Sequence, residues 1–134
     1  MSRLNLSLAC WNYDRTRALA DETVKPDGID LNYLDMPVEE TFFRMVRNRE
    51  FDVAEMSLSS LIIATARGDK SWVALPIYTS RKFFHTNILI RADKGICTPQ
   101  DLRGKRVGVP EYQQTAALWS RSLSDAELAT IRGR

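Results

Sequence analysis

Histidine is almost absent: the chain of 134 residues has one, His85. A zinc helix carrying two histidines is therefore excluded. Cysteine is scarce too. Cys10 and Cys97 lie far apart and form no CxxC, so they read as two unrelated reduced thiols. The six glycines never fall in a GxGxxG or Walker A spacing. No GxSxG occurs, which removes the nucleophile elbow. Long apolar runs are also missing. The longest, Leu61–Ala66, is interrupted at Thr65 and is far short of the ~20 residues of a membrane span. The first residues, Met1-Ser2-Arg3-Leu4-Asn5-Leu6, lack the apolar core and small-residue cleavage site of a signal peptide. Together these absences lead to the expectation of a cytoplasmic protein with no membrane partner.

Charge of one sign is lacking as well. Nineteen basic residues face 17 acidic ones, a net charge of +2, so nothing argues for nucleic acid as a partner. Arginine supplies 14 of the bases, and its planar fork suits carboxylate and phosphate groups. Hydrophobic residues at 44% suffice for a globular core.

What is present is an alternation of strand and helix patterns. Leu4, Leu6, Leu8 and Cys10 alternate with Asn5, Ser7 and Ala9, giving a first strand. Asp14 is placed to cap a short helix running to about Glu22. Pro26-Asp27-Gly28 is a turn by its chemistry, and Ile29–Leu34 a second strand. Pro37 suits a helix start. Val38, Phe42, Met45 and Val46 then form an apolar helical stripe. Phe51–Met56 reads as a third strand. Ser57 is expected to cap a helix with Leu58, Leu61, Ile62 and Ala66 inward and Gly68 as its stop. Trp72–Ile77 reads as a fourth strand.

This order predicts an α/β fold with a mainly parallel sheet flanked by helices. The pattern then shifts. Phe83–Arg91 reads as a long alternating strand. Asp93-Lys94-Gly95 is a turn and Thr98–Asp101 a capped helical turn. Arg106–Val109 reads as a strand and Gln113–Trp119 as a helix. The expected organisation is a first lobe over 1–79, a crossing strand over 80–92, the start of a second lobe over 93–119, and a divergent tail over 120–134.

In open α/β sheets ligands bind beyond the carboxyl ends of the strands. That rule selects Trp11, Asn12 and Tyr13 after the first strand, and Glu55 and Ser57 after the third. It also selects Ser80, Arg81, Lys82 and His85 at the crossing. Glu111, Tyr112, Gln113 and Thr115 lie at a helix start, where free N–H groups suit an anion. Each residue has a plainer alternative. Trp11 and Tyr13 are of a type more often found as core or rim aromatics than as ligand stackers. Ser57 reads first as a helix cap, Arg81 and Lys82 as a solvated pair, and His85 as a satisfied strand residue. Glu55 is an acid among apolar neighbours, costly to bury without a partner.

Several blocks carry a family resemblance. They are Leu8–Asp14, Glu40–Met45, Phe51–Ser57, Pro76-Ile77, Ser80-Arg81, Phe84-His85 and Asp101–Trp119. In these the chain resembles the 4,5-dihydroxyphthalate decarboxylase family, whose members are similar to solute-binding proteins of ABC transporters of the thiamine-precursor-synthesis type. The resemblance implies a periplasmic-binding-protein-like fold of type 2, cut short soon after it enters its second lobe. It implies loss of CO2 from a dihydroxylated phthalate to give protocatechuate.

Under the resemblance, Arg81 holds the retained carboxylate and His85 donates the proton. Glu55 and Glu111 orient the phenolic hydroxyls or His85, and Tyr112 and Trp11 stack on the ring. The remaining substrate-binding candidates are Asn12, Tyr13, Ser57, Gln113 and Thr115. No cofactor is implied. A divalent metal held by His85 with acids stays open, since spacing alone does not show one. The implied partner is a small aromatic carboxylate. Two other readings remain: a non-catalytic binding module for such a carboxylate, and an inactive short product. A half-built second lobe also leads to the expectation of homo-oligomers, because an open sheet edge and an apolar face invite self-association.

Overall fold

The computed structural model describes residues 2–82 and 88–122. By its internal contacts the chain divides into two units. One is built from Met1–Ser57 and Ser71–Arg81, the other from Leu58–Lys70 and the chain from Lys82 onward.

The first unit is an α/β layer. Strand β1 (Leu4–Cys10) sits at the centre of a parallel sheet in the order β2-β1-β3, with β2 spanning Ile29–Asp35 and β3 Val53–Ala54. The parallel ladder runs from Leu4 opposite Ile29 to Cys10 opposite Asp35 on one side of β1. On the other side Leu8 faces Val53 and Ala9 faces Ala54. Gly28 sets the register with β2. Its φ of 71° closes the Pro26–Gly28 turn, and its carbonyl accepts the Leu4 amide at 2.9 Å. Helix α2 (Val38–Asn48) lays Met45 on Ala9 and Phe51. Leu34, Met36, Ala54, Met56 and Trp72 complete that core.

The elements differ from the pattern-based expectations in instructive ways. Helix α1 covers only Arg17–Ala20. Asp14 does not cap it, because its carboxylate accepts the neighbouring Arg15 amide, and Glu22 adopts a left-handed φ of 60° that no helix tolerates. Pro37 occupies the N-cap of α2 rather than its first turn. The inward face of α2 is carried by Thr41 and Met45, whereas Val46 is exposed. Strand β3 is shorter than 51–56. Before it, the Asp52 amide donates to Ser7 Oγ and the Asp52 carboxylate accepts the Ser7 amide, so side chains replace the ladder there.

The fourth strand expected at 72–77 does not form. Pro76 has no N–H to give a ladder, and the Ile77 amide bonds the Leu75 carbonyl at 2.7 Å in a tight turn around it. Residues 88–91 and 106–109 are likewise outside any ladder among the described residues. The rest of the expected 83–91 strand lies outside the described residues.

In the second unit, α3 (Leu58–Ala66) stops where predicted, at Gly68 with φ of 84°. Its buried face differs from expectation. Ser59 is inward, while Leu58 and Ile62 are exposed. Thr98 and Asp101 form a reciprocal capping box on the 3-10 turn Pro99–Leu102, as their spacing predicts. The last helix, α4, begins at residue 115 and runs to 122 within the described residues. It starts two positions later than expected because the Gln114 amide first closes a turn on the Glu111 carbonyl.

Candidate functional site

The strand order places a topological switch point in the first unit. From β1 the chain crosses to β2 on one side, then returns to place β3 on the other. In open α/β sheets such a point, beyond the carboxyl ends of the strands, is where ligands bind.

Glu55 stands at that point, directly after β3, with its amide donating to the Ala9 carbonyl at 3.0 Å. It is only 7% exposed. Its carboxylate accepts three neutral donors. Thr79 Oγ1 donates to Oε2 at 3.1 Å, Cys10 Sγ to Oε2 at 3.5 Å, and Tyr13 Oη to Oε1 at 3.4 Å. Among the described residues no basic side chain forms an ion pair with it. A carboxylate has about four acceptor sites, so these three donors leave room for a further donor group.

The neighbours respond to the acid. Burial, and then the Glu55 charge, push the Cys10 thiol up to about 11. The same two causes in the same order push Tyr13 up to about 12, with Ser80 pulling the other way. Burial also raises Tyr33 to about 12. The Tyr33 hydroxyl lies 3.1 Å from the Trp11 carbonyl oxygen and 3.1 Å from Thr16 Oγ1, fixing the loop after β1. Arg15 completes the arrangement. One Nη donates to the Thr79 carbonyl, and its guanidinium carbon lies 5.3 Å from the centre of the Tyr13 ring.

Of the residues selected from the sequence, the structure brings together Tyr13 and Glu55, with Ser80 hydrogen-bonded to Tyr13. Trp11 and Asn12 follow β1 but are exposed, and so are Ser80, Arg81 and Lys82. Ser57 is buried one residue before α3. His85 lies outside the described residues. In the second unit, Thr115 and Gln113 hold α3: Thr115 Oγ1 accepts the Ser59 amide at 3.1 Å, and the Gln113 carbonyl accepts the Ser59 hydroxyl. The Gln113 side chain turns to Glu111 at 3.2 Å. The ring of Tyr112 carries the Arg121 guanidinium at 3.7 Å. Among the described residues no group of three or more His, Cys, Asp or Glu side chains is placed to hold a metal ion.

Cys10, Tyr33, Thr79 and Arg15 were not selected from the sequence. Cys10 and Arg15 flank the block 11–13, so a wider window on the strand-end rule reaches both. Thr79 directly precedes the selected Ser80 and is reached in the same way, whereas nothing in the sequence marks Tyr33. A separate cavity of about 550 Å³ lies by the amino-terminal half of β1 and β2, lined by Asn5, Ser7, Asp30 and Asp52 among others, away from Glu55.

The comparisons with known proteins agree with this architecture. The chain is 47% identical over 127 residues to a 4,5-dihydroxyphthalate decarboxylase of Comamonas testosteroni, covering 95% of this chain and 38% of that protein. It is 49% identical over 140 residues to a 4,5-dihydroxyphthalate decarboxylase of Pseudomonas putida, covering 99% of this chain and 54% of that one. The chain therefore spans about half, or less, of the curated relatives it matches. It also matches the family described as NMT1/THI5 like over residues 18–129, which takes in much of the segment expected to diverge after residue 119. With 112 of its 134 residues inside that match, and a parallel sheet flanked by helices, the chain belongs to the NMT1/THI5 like family.

Proposed function

We propose that this protein is a carboxy-lyase that releases CO2 from 4,5-dihydroxyphthalate, giving protocatechuate, a step of aromatic-acid breakdown. The observation that carries the reading is the identity of 47% and 49% to two decarboxylases of that name.

The chemistry suits the substrate. Each carboxylate stands para to a hydroxyl, whose lone pair lets the carboxylate-bearing carbon accept a proton. The bond to the carboxylate then breaks, its electron pair restores the aromatic ring, and CO2 leaves. The net change is one proton taken up for each CO2 lost. Such a site needs an acid for the carbon, a cation for the retained carboxylate, and a desolvated acceptor for the hydroxyls. In this reading His85 is the acid, since its unperturbed pKa of about 6.5 suits proton transfer near neutrality. Arg81 is the cation, through its planar fork. Glu55 is the acceptor, supported by its burial among neutral donors at the switch point.

Incubation of the purified protein with 4,5-dihydroxyphthalate tests this, with CO2 and protocatechuate quantified alongside calorimetry. Equal amounts of the two products are expected. Binding without CO2 release makes the protein a solute-binding module instead. Absence of binding overturns both.

A further inference from the structure

We propose that Thr79 is a positioning residue for Glu55, and that Arg15 holds Thr79 in that task. The proposal rests on Glu55 belonging to the ring-diacid site described above.

Three donors reach the Glu55 carboxylate, and they are unequal. The thiol of Cys10 is a weak donor at 3.5 Å, and the Tyr13 hydroxyl is long at 3.4 Å. Thr79 Oγ1 is closest at 3.1 Å. It shares Oε2 with Cys10, so it fixes which way the carboxylate faces. Thr79 lies in a stretch without helix or strand, where no ladder holds the backbone. Arg15 supplies the missing restraint. It donates to the Thr79 carbonyl and lies over the ring of Tyr13, so it grips two of the three donors at once. Asp14 Oδ1 lies 3.5 Å from another Nη of Arg15 and steadies the guanidinium. Remove the Thr79 hydroxyl, and a buried carboxylate loses its best donor. Water then becomes the cheaper partner, and the side chain swings outward.

Cys10 reports that movement, because the nearby Glu55 charge helps keep its thiol protonated. The test uses the full chain with Cys97→Ser, so that Cys10 is the one thiol, and follows thiolate absorbance against pH. Thr79→Val is expected to lower the Cys10 midpoint by about one pH unit as the Glu55 charge recedes. Thr79→Ser restores the parent midpoint. Arg15→Lys keeps the charge but loses the fork, and moves the midpoint the same way by less. Should valine disturb folding, as read by near-ultraviolet circular dichroism, Thr79→Ala makes the same comparison. A parent-like midpoint without the hydroxyl, or a serine variant displaced as far as valine, overturns the proposal. Calorimetry with 4,5-dihydroxyphthalate is the separate arm. Thr79→Val is expected to weaken binding about tenfold, a loss on the scale of one hydrogen bond to a charged group, with serine close to parent. If the parent itself binds no ring diacid, the proposed function fails while the thiol titration still decides the role of Thr79.

Discussion

Cys10 Sγ lies 3.5 Å from Oε2 of Glu55, across the carboxyl ends of two parallel strands whose residues are 45 positions apart. A thiol so placed donates to the carboxylate and stays neutral well into the alkaline range. The pair is a direct reading of the electrostatics of the proposed site.

Glu55→Gln should lower the Cys10 pKa from about 11 toward, but not to, the ordinary thiol value. The Glu55 charge is the second cause of the rise and burial the first, so part of the rise survives the substitution. Thiolate absorbance in a Cys97→Ser background measures it. An unchanged midpoint would show that Glu55 does not face the thiol.

Stability should fall between pH 9 and pH 12. Cys10 is raised from 9.0 to about 11, and Tyr13 and Tyr33 from 10.0 to about 12. All three hold their protons longer when folded, so the unfolded chain releases protons first as pH rises. Their stabilisation is complete below pH 9 and is lost as pH climbs through the folded values. Thermal melting across this window should show a declining midpoint, and Cys10→Ala should flatten its lower half.

Thr41→Val should stabilise the protein by about 1 kcal/mol, because a buried hydroxyl with no partner carries its desolvation cost uncompensated. Thr41 is fully buried, and its Oγ1 has no hydrogen-bond partner among the described residues. Valine keeps the shape and removes the polar atom. Urea unfolding at neutral pH checks the sign, and a lower midpoint would refute it.

Asp52→Ala should lower the melting temperature at neutral pH and much less in acid. The Ser7 amide and hydroxyl both donate to Asp52 Oδ2 at 2.8 Å and hold its carboxyl below the usual carboxylate range. A depressed carboxylate stabilises above its unfolded pKa of 3.8, and that contribution is lost as pH falls through the lower folded value. The melting curves of parent and variant should therefore converge as the pH falls below 3.8 and through the lower folded value.

The proposed roles of His85 and Arg81 separate kinetically. His85→Gln should cut kcat by about a hundredfold or more while leaving KM nearly unchanged, as expected when a general acid is removed. Arg81→Lys should raise KM about tenfold with little change in melting temperature, because lysine cannot replace a bidentate fork. Loss of stability without a change in KM would make Arg81 structural.

Much of the local structure was legible in the sequence because it depends on short-range chemistry. The alternation of Leu4–Cys10, the Gly28 turn, the Gly68 stop and the Thr98–Asp101 box each follow from neighbouring residues. Where the reading failed, a distant or opposing group intervened. Ser7 displaced the ladder before β3, and Ser59 turned inward to meet Gln113 and Thr115. At 72–77 the apolar pattern of a strand was present, but Pro76 denied it a ladder.

The site divides along the same line. The strand-end rule selected Tyr13 and Glu55 from the sequence alone, because their positions follow from where strands stop. Side-chain type also marked Glu55 as an acid among apolar neighbours. Only the tertiary structure decided that β3 lies beside β1 rather than beside β2. That choice brings Glu55 to Cys10 and Tyr13, and the return of the chain at Thr79 supplies the third donor. Strand order depends on burying sheet faces across the whole unit, which no local pattern encodes.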